Sequence, residues 1–350
     1  MSLDRADDLV PVIDLAPWID GSDRDGVAAA VDAACRRVGF LHVVGHGVPP
    51  EVFAAMRDAT DAFFASPTAD KLAWVPPSAD VNRGYAARGS ESLTYSLGFD
   101  RPVDLFEAFN VGPDDLDLDL DDPAVAAQRH GVFAANIWPD QPAGLRAAVV
   151  AHFVAVRRVA HVLTDVFAAA LGLPDGWFAP FTSHSTDTLR IVSYETAPGD
   201  PEPVEGQMGM GAHTDYGICT VLWADAVPGL QIVGPDGAWH DVVPAPGALL
   251  VNLGDLTAQW TNDRWRSTVH RVLPPARRPD GVARRRSAAF FHDGNWDAVI
   301  ECLPTCTGPG DPPRYPPVRA LDHLMGKLLG PRTLRSSTAT DTAGDRRAAV

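Results

Sequence analysis

The sequence has no uninterrupted apolar run of about 18 residues, the length that a membrane-spanning helix needs. It also has no apolar leader, because residues 1–8 are polar and acidic and lack the hydrophobic centre of a secretory signal peptide. These two absences predict a protein that neither spans a membrane nor enters the secretory pathway. We therefore expect it in the cytoplasm.

Cysteine is scarce, and the 350 residues include four: Cys35, Cys219, Cys302 and Cys306. Their spacing does not match a zinc site, whose cysteine ligands usually come in closely spaced pairs. Cys302 and Cys306 could form a disulfide, although a cytosolic protein usually keeps such thiols reduced. The sequence leaves this pairing open.

Basic residues are in the minority. Lysine and arginine number 29 against 45 aspartates and glutamates, which gives a formal net charge of -16. An acidic surface repels phosphate groups, so neither nucleic acid nor an anionic membrane is an expected partner. Hydrophobic residues make up 46% of the chain, enough to bury a sizeable core, and no pattern indicates an obligate protein partner.

The strongest periodicity lies in residues 188–291, where apolar and polar residues alternate with a period of two between turn signals. Several short strands with such punctuation predict a double sheet of the jelly-roll type. Strands are also predicted at 10–15 and 39–44, and helices at 23–38, 50–71 and 143–171. Residues 75–125 are rich in Pro, Gly and Asp and are expected to be irregular, with a solvated acidic loop at 114–122.

Three residues have the types that bind Fe(II) in a facial triad, in which two imidazoles and one carboxylate leave the opposite face of the metal open. They are His213, Asp215 and His270. Side chains two apart on a strand point to the same side, so His213 and Asp215 can share a metal, whereas His270 must arrive from another strand. A His-x-Asp pair alone is weak support, since most such pairs lie in turns or on the surface.

A second motif follows the distal histidine. Arg285 and Ser287 lie two apart on a predicted strand and offer a guanidinium fork and a hydroxyl to a carboxylate. Upstream, residues 189–194 alternate like a strand and end at Tyr194. A metal triad followed by a carboxylate anchor is far more specific than either part, and together they predict an oxygen-activating enzyme.

With these motifs, the chain resembles the non-haem Fe(II), 2-oxoglutarate-dependent dioxygenases of the isopenicillin N synthase type. The resemblance covers residues 10–320 and is carried by the segments 10–15, 38–49, 213–217, 228–231, 246–255, 260–263, 266–272 and 285–287. It implies a mainly β fold with flanking helices around a double-stranded β-helix (jelly-roll) core. Residues 1–125 would form an N-terminal mixed region and residues 126–330 the catalytic core. The aperiodic, Ser- and Thr-rich tail at 331–350 is expected to be disordered.

The same resemblance implies the cofactors and the reaction. The metal triad would bind Fe(II), with 2-oxoglutarate and dioxygen as co-substrates, and Arg285, Ser287 and Tyr194 would bind the distal carboxylate of 2-oxoglutarate. A small-molecule substrate would be oxidised, by hydroxylation, desaturation or ring closure, with release of succinate and carbon dioxide. Two departures weaken the assignment of Tyr194: Val192 stands where many members have asparagine, and Glu195 replaces a proline.

Three other functions stay open at the level of the sequence. One is an oxidase of the isopenicillin N synthase type that does not use 2-oxoglutarate and whose Arg-x-Ser pair holds the substrate's own carboxylate. The others are a non-catalytic jelly-roll binding protein and a zinc hydrolase with the same triad. A binding protein would retain buried charged residues without a partner, which is costly, and a hydrolase would have no use for the anchor.

The substrate is the least specified part. Residues 82–85 resemble the loop that helps to shape the substrate pocket in this family, and Arg83 or Arg88 could bind a substrate carboxylate. Tyr85 could stack on the substrate or form a hydrogen bond with it. The abundance of Ala, Arg and Pro is typical of GC-rich bacterial genomes, where such enzymes often serve specialised metabolism.

Other polar residues are predicted to be structural. His46 lies between two glycines and is expected to be a hydrogen-bonded turn residue, not a ligand. Asn252, Asp255, Asn262 and Asp263 look like turn and hairpin residues that satisfy local backbone groups.

Overall fold

The computed structural model describes residues 9–78, 81–98, 102–114, 122–128, 131 and 133–333. Within these ranges the α-helices are α1 (Ala16–Ile19), α2 (Arg24–Arg37), α3 (Pro50–Phe64), α4 (Thr68–Lys71), α5 (Pro123–Ala127), α6 (Leu145–Ala170), α7 (Ala179–Thr182), α8 (Asp255–Trp260) and α9 (Ala320–Thr333). The strands are β1 (Val12–Asp14), β2 (Phe40–Val44), β3 (Gly84–Ala86), β4 (Phe106–Val111), β5 (Thr188–Thr196), β6 (Met210–His213), β7 (Cys219–Ala224), β8 (Leu230–Val233), β9 (Trp239–Asp241), β10 (Leu249–Leu253), β11 (His270–Val272), β12 (Ala283–His292), β13 (Val299–Ile300) and β14 (Val318–Arg319).

Two sheets form the centre of the fold. The major sheet has the strand order β1-β2-β10-β7-β12-β5-β4-β3, and the minor sheet has the order β6-β11-β8-β9. Apart from the parallel pair β1–β2, neighbouring strands in both sheets are antiparallel. This arrangement confirms the predicted mainly β fold with a double-stranded β-helix core.

The space between the sheets is filled by one apolar cluster, which we call the inner core. The major sheet contributes Phe106, Val192 and Tyr194 to it, and the minor sheet contributes Met210 and Ile232. Because side chains alternate along a strand, every second residue of β4, β5, β7 and β12 faces this interior. Groups shielded from water between the sheets therefore include side chains from these positions as well as from the minor sheet.

Helices cover the other face of the major sheet. The second apolar cluster, the outer core, contains Phe153 and Phe167 of α6 together with Leu189, Ile191 and Phe290 of the sheet. By length and composition α6 could cross a membrane, but it packs against α2, α3, β7 and β12. Its apolar face therefore serves the outer core.

The sequence predicted the regular elements before residue 75 and the long helix well. The helix predicted at 50–71 is divided into α3 and α4, because Pro67 disfavours helical geometry in the residue before it. Residues 75–125, expected to be irregular, include β3 and β4, which pair with each other and with β5. β4 escaped detection because it is buried on both faces, so its sequence Phe-Glu-Ala-Phe-Asn-Val has no clear alternation.

Two predicted segments extend beyond the described part of the chain. Residues 115–121 of the acidic loop and residues 334–350 of the expected tail lie outside the described residues, while α9 continues to Thr333. The region before residue 125 is not a separate sheet: β1 and β2 join the major sheet through β10, and β3 and β4 join it through β5.

Candidate metal centre and carboxylate anchor

The minor sheet brings the predicted metal triad together. His213 ends β6 and His270 begins β11, and the two residues are direct partners in the antiparallel pairing. Asp215 follows β6 by two residues, and its Oδ1 lies 3.7 Å from Nε2 of each histidine. All three side chains are buried, and one potential ligand atom from each lies within 4.8 Å of the others. This is the convergence that a two-histidine, one-carboxylate metal site requires.

Backbone carbonyls orient both imidazoles. Nδ1 of His213 lies 2.8 Å from the carbonyl oxygen of Gly211, and Nδ1 of His270 lies 3.1 Å from that of Thr268. A carbonyl oxygen only accepts, so the proton of each ring sits on Nδ1 and the Nε2 lone pair is directed towards Asp215. Burial and the neighbouring His270 ring lower the pKa of His213, which keeps this imidazole neutral, as a metal ligand must be.

The carboxylate of Asp215 is held through one oxygen. Asn252 Nδ2 donates to Oδ2 at 2.6 Å, and the Thr220 hydroxyl donates a short hydrogen bond to the same atom. Both donors face the interior from adjacent strands of the major sheet, where Asn252 and Thr220 are direct partners. Oδ1 remains directed towards the histidines, so the carboxylate is oriented before any metal binds.

The carboxylate anchor lies on β12 and β5. Arg285 is 1% exposed, and its Nε and Nη1 have no hydrogen-bond partner within the described ranges. Its guanidinium lies over the ring of Tyr194, 5.3 Å from the centroid, and the two residues are direct partners in the pairing of β12 with β5. A buried cation with two unsatisfied donors is costly alone and fits an anionic ligand.

Tyr194 and Ser287 lie beside this guanidinium. Burial raises the pKa of Tyr194 to about 12, so the phenol stays protonated and can donate. The Tyr194 hydroxyl also contacts Sδ of Met210 at 3.7 Å, three residues before His213 on β6. The anchor and the triad therefore face the same interior, and the assignment of Arg285, Ser287 and Tyr194 to 2-oxoglutarate stays a prediction.

These residues fit the group that the motif implies. Two imidazoles and one oriented carboxylate suit Fe(II), and an oxygen-rich, doubly charged keto acid would satisfy the metal at one end and Arg285 at the other. A zinc hydrolase would explain the triad but not the buried guanidinium.

Two of the three predicted substrate-binding residues have other contacts. Arg83 is 2% exposed, and its guanidinium donates to the carbonyl oxygens of Ala134 at 3.2 Å and Asn82 at 2.7 Å. Tyr85 belongs to the outer core and donates to Glu107 Oε2 at 2.6 Å. Both side chains are buried and hydrogen-bonded within the protein, which favours a structural role, and their assignment to the substrate stays a prediction. Sequence spacing could not show this, since it does not reveal which face of β3 points inward.

Arg88 lies elsewhere. Its side chain is 43% exposed, and its Nη1 makes one long contact of 3.5 Å with Asp200. The assignment of Arg88 to the substrate stays a prediction.

The residues predicted to be structural divide into two groups. His46 is a turn residue, as expected: its Nδ1 accepts from the Val48 amide at 3.1 Å and its Nε2 lies 3.2 Å from the Gly247 carbonyl. Asn262 and Asp263 have positive φ angles of 53° and 62°, also as expected of turn residues.

Asn252 and Asp255 are not simple turn residues. Asn252 orients Asp215, as described above. Asp255 Oδ2 accepts from Thr214 at 3.1 Å and from Lys327 Nζ at 2.7 Å, which ties α9 to the segment that carries the triad. The four cysteines are free thiols, including Cys302 and Cys306.

Sequence reasoning missed four interior residues. Asn252 and Thr220 support the metal ligand, and Arg190 and Asn110 lie on the interior positions of β5 and β4. The alternation in residues 189–194 was a usable signal for Arg190, because it places Arg190 on the same face as Tyr194. No comparable signal existed for Asn252, whose role depends on a strand pairing between distant parts of the chain.

Comparisons with known proteins agree with this site. Residues 10–141 match the family described as non-haem dioxygenase in morphine synthesis N-terminal, and residues 186–294 match the 2OG-Fe(II) oxygenase superfamily. The 2-oxoglutarate-Fe(II) type oxidoreductase hxnY of Emericella nidulans is 33% identical over 322 residues, which cover 90% of this chain and 88% of that protein. Validamycin A dioxygenase of Streptomyces hygroscopicus subsp. limoneus is 33% identical over 326 residues, covering 91% and 86% of the two chains.

Solved structures are also similar to this chain over most of its length. A full-length Neurospora crassa protein in complex with alpha-KG superimposes with a TM-score of 0.78 at 26% identity, covering 91% of this chain and 95% of that one. Similarity over nearly the whole length of these proteins, together with the triad and the anchor, excludes a fold-only resemblance. The chain belongs to the non-haem Fe(II), 2-oxoglutarate-dependent dioxygenase family.

Proposed function

We propose that His213, Asp215 and His270 bind one Fe(II) and that Arg285, with Tyr194 and Ser287, binds the distal carboxylate of 2-oxoglutarate. The enzyme oxidises a small-molecule substrate with dioxygen and releases succinate and carbon dioxide. Bound Fe(II) supplies the redox chemistry that couples decarboxylation of the keto acid to oxidation of the substrate. The protein supplies position, shielding from water and charge balance.

The residues around the metal perform the positioning. The carbonyls of Gly211 and Thr268 keep the Nδ1 protons of both histidines in place, so each ring offers only Nε2. Asn252 and Thr220 hold one oxygen of Asp215 and leave the other for the metal. Three ligands from one side leave the remaining coordination positions to 2-oxoglutarate and dioxygen.

One observation carries the assignment of 2-oxoglutarate: a fully buried guanidinium whose Nε and Nη1 lack acceptors, in the same interior as the triad. A carboxylate at this point would accept a charge-assisted hydrogen bond from this guanidinium and balance its buried charge. The protonated Tyr194 hydroxyl and the Ser287 hydroxyl can donate to the same group. An oxidase that does not use 2-oxoglutarate would have to place its substrate's carboxylate here instead.

The substrate is a small molecule, and the acidic chain disfavours nucleic acid and anionic membranes as partners. The relative named Validamycin A dioxygenase supports a substrate from specialised metabolism. Location in the cytoplasm is part of the same proposal.

An anaerobic titration tests the metal and co-substrate assignments together. Wild type should bind one Fe(II) per chain, and addition of 2-oxoglutarate should produce the weak visible charge-transfer band of a chelated keto acid. Asp215→Ala should lose both the iron and the band, because one of the three ligands is gone. The exposed Asp236→Ala, whose carboxylate contacts His240 at the surface, should keep both.

Two results would refute these assignments. Unchanged iron stoichiometry in Asp215→Ala would refute the triad. A wild-type enzyme that binds iron but gives neither the band nor succinate under oxygen would refute the use of 2-oxoglutarate.

A further inference from the structure

Two polar side chains occupy interior positions that the proposed reaction has not yet used. Arg190 is on the same face of β5 as Val192 and Tyr194, and Asn110 is on the same face of β4 as Phe106 and Ala108. Arg190 and Asn110 are direct partners in the antiparallel pairing of β4 with β5. They therefore lie side by side in the interior that holds the triad and the anchor.

Each of these side chains has an unsatisfied polar atom. Asn110 is 5% exposed, and its Oδ1 has no hydrogen-bond partner in the described ranges. The buried Nε of Arg190 likewise lacks an acceptor there. Burying such groups without partners costs about 1–3 kcal/mol each, so their presence indicates a ligand that satisfies them.

The guanidinium of Arg190 is held in place from two sides. Its Nη2 donates to Glu91 Oε2 at 2.8 Å, and its planar group lies over the ring of Phe106 at 5.0 Å from the centroid. The side chain is thus oriented in advance, and Nε is left as its buried unsatisfied donor. An oriented donor beside a buried amide oxygen is what a polar substrate subsite needs.

We propose that Arg190, Asn110 and Glu91 form the polar side of the substrate pocket and that they select a neutral small molecule carrying a carbonyl acceptor and an N–H or O–H donor. Nε of Arg190 donates to the carbonyl oxygen, and Oδ1 of Asn110 accepts from the donor group. This subsite deepens the proposed function and rests on it, because it takes the triad and Arg285 to be occupied by iron and 2-oxoglutarate.

The charges around the subsite decide between a neutral substrate and a carboxylate. Arg190 is already paired with the Glu91 carboxylate at 2.8 Å, and it also interacts electrostatically with the nearby carboxyl group of Asp104. The charges of bound Fe(II), Asp215, Arg285 and the two carboxylates of 2-oxoglutarate cancel. The interior therefore has no unpaired positive charge that would offset the loss of hydration of an anionic substrate. A neutral amide, lactam or hydroxy-ketone does not carry this desolvation cost.

Benzamide and benzoate are matched probes, because they share a ring and a shape and differ in charge and in the presence of a donor. Each is titrated calorimetrically into the anaerobic enzyme loaded with Fe(II) and 2-oxoglutarate. Wild type should bind benzamide at least about tenfold more tightly than benzoate, which corresponds to about 1.4 kcal/mol. Arg190→Ala should lose about tenfold in benzamide affinity, and Asn110→Leu should lose a comparable factor.

A variant that removes one negative charge should increase the affinity for benzoate, a result that a misfolded protein would not give. Glu91→Gln keeps the shape of the side chain and removes one negative charge, so benzoate should bind about tenfold more tightly than it does to wild type. The control is Arg278→Ala, in which another ion-paired arginine, 63% exposed and bound to Asp280, is removed from the surface. That variant should bind both probes as wild type does.

Several results would overturn the inference. A wild-type preference for benzoate would make the subsite a carboxylate site, and failure of both probes to bind would remove it. Equal benzamide affinity in wild type and Arg190→Ala, or unchanged benzoate affinity in Glu91→Gln, would show that these residues do not contact the substrate.

The affinity for 2-oxoglutarate, measured in the same samples, separates this inference from the proposed function. If Arg190→Ala abolishes 2-oxoglutarate binding while Arg285→Met retains it, the assignment of the anchor has failed. If both variants behave as proposed towards 2-oxoglutarate and the probes do not, only the subsite has failed.

Discussion

Replacing Arg285 with methionine should make the protein without cofactors more stable while removing its response to 2-oxoglutarate. In the folded chain, Nε and Nη1 of Arg285 are buried without acceptors. Each unsatisfied donor costs about 1–3 kcal/mol, and the contact with the Tyr194 ring returns only about 0.5–2 kcal/mol. Methionine fills a similar volume without polar atoms, so the free energy of unfolding should rise by about 1–3 kcal/mol.

Differential scanning calorimetry with and without 2-oxoglutarate measures both effects. For a chain of this size the entropy of unfolding is about 0.7 kcal/mol per degree, so the metal-free variant should melt about 1–4 °C above wild type. In wild type loaded with Fe(II), 2-oxoglutarate at 100 times its Kd contributes about 2.7 kcal/mol, or about 4 °C. The variant should shift by less than about 1 °C, so the melting temperature of wild type should rise by at least about 3 °C more than that of the variant when the keto acid is added.

Arg286 is the matched control. It is adjacent on β12 and 5% exposed, but its guanidinium is fully engaged with Asp61 at 2.5 Å, Glu195 at 2.9 Å and Ser193 at 2.7 Å. Arg286→Met should therefore lower the melting temperature, because it removes three hydrogen bonds, one of them to the buried Ser193, and should keep the shift caused by 2-oxoglutarate.

The reasoning is refuted if these two variants exchange behaviours, since the anchor would then be displaced by one residue. It is also refuted if Arg285→Met destabilises the metal-free protein and retains the full shift. Either result would show that the unsatisfied guanidinium is not the 2-oxoglutarate site.

Two further predictions concern the support of the metal and the acid stability of the fold. Asn252→Ala removes the 2.6 Å hydrogen bond to Asp215 and should weaken Fe(II) binding about 10- to 100-fold in an anaerobic chelator competition, with the melting temperature of the metal-free protein changed by only a few degrees; an unchanged affinity would mean that the carboxylate needs no such support. Burial lowers the pKa of His152 from 6.5 to about 4, and both of its ring nitrogens lack partners within the described ranges. Between these two values the unfolded chain binds a proton that the folded chain does not, so stability falls as the pH drops from about 6.5 to about 4, by up to about 3 kcal/mol. His152→Leu should flatten the melting temperature over that range, and an unaltered pH profile would contradict the assignment.

The sequence predicted the chemistry more completely than the architecture around it. The residue types and spacing of the triad, and the Arg-x-Ser pair after it, selected candidate residues that the structure brings to one interior, because strand periodicity relates residues two apart in any sheet. The acidic composition and the lack of long apolar runs were likewise readable without a structure. Strands buried on both faces, such as β4, could not be predicted from the sequence, because they lack the alternation of apolar and polar residues on which prediction depends.

What only the tertiary structure decided is which side chains face the interior between the two sheets. Tyr85 and Arg83 are near Arg88 in sequence and carry suitable functional groups, yet pairing of β3 with β4 directs Tyr85 into the outer core, and Arg83 is engaged with backbone carbonyls. Asn252 and Asn110, by contrast, look like ordinary polar residues until the strand pairings place them beside Asp215 and Arg190. The physical reason is that a ligand set needs only residue types at short spacing, whereas its supporting and substrate-facing residues come from distant strands whose register is set by packing of the whole sheet.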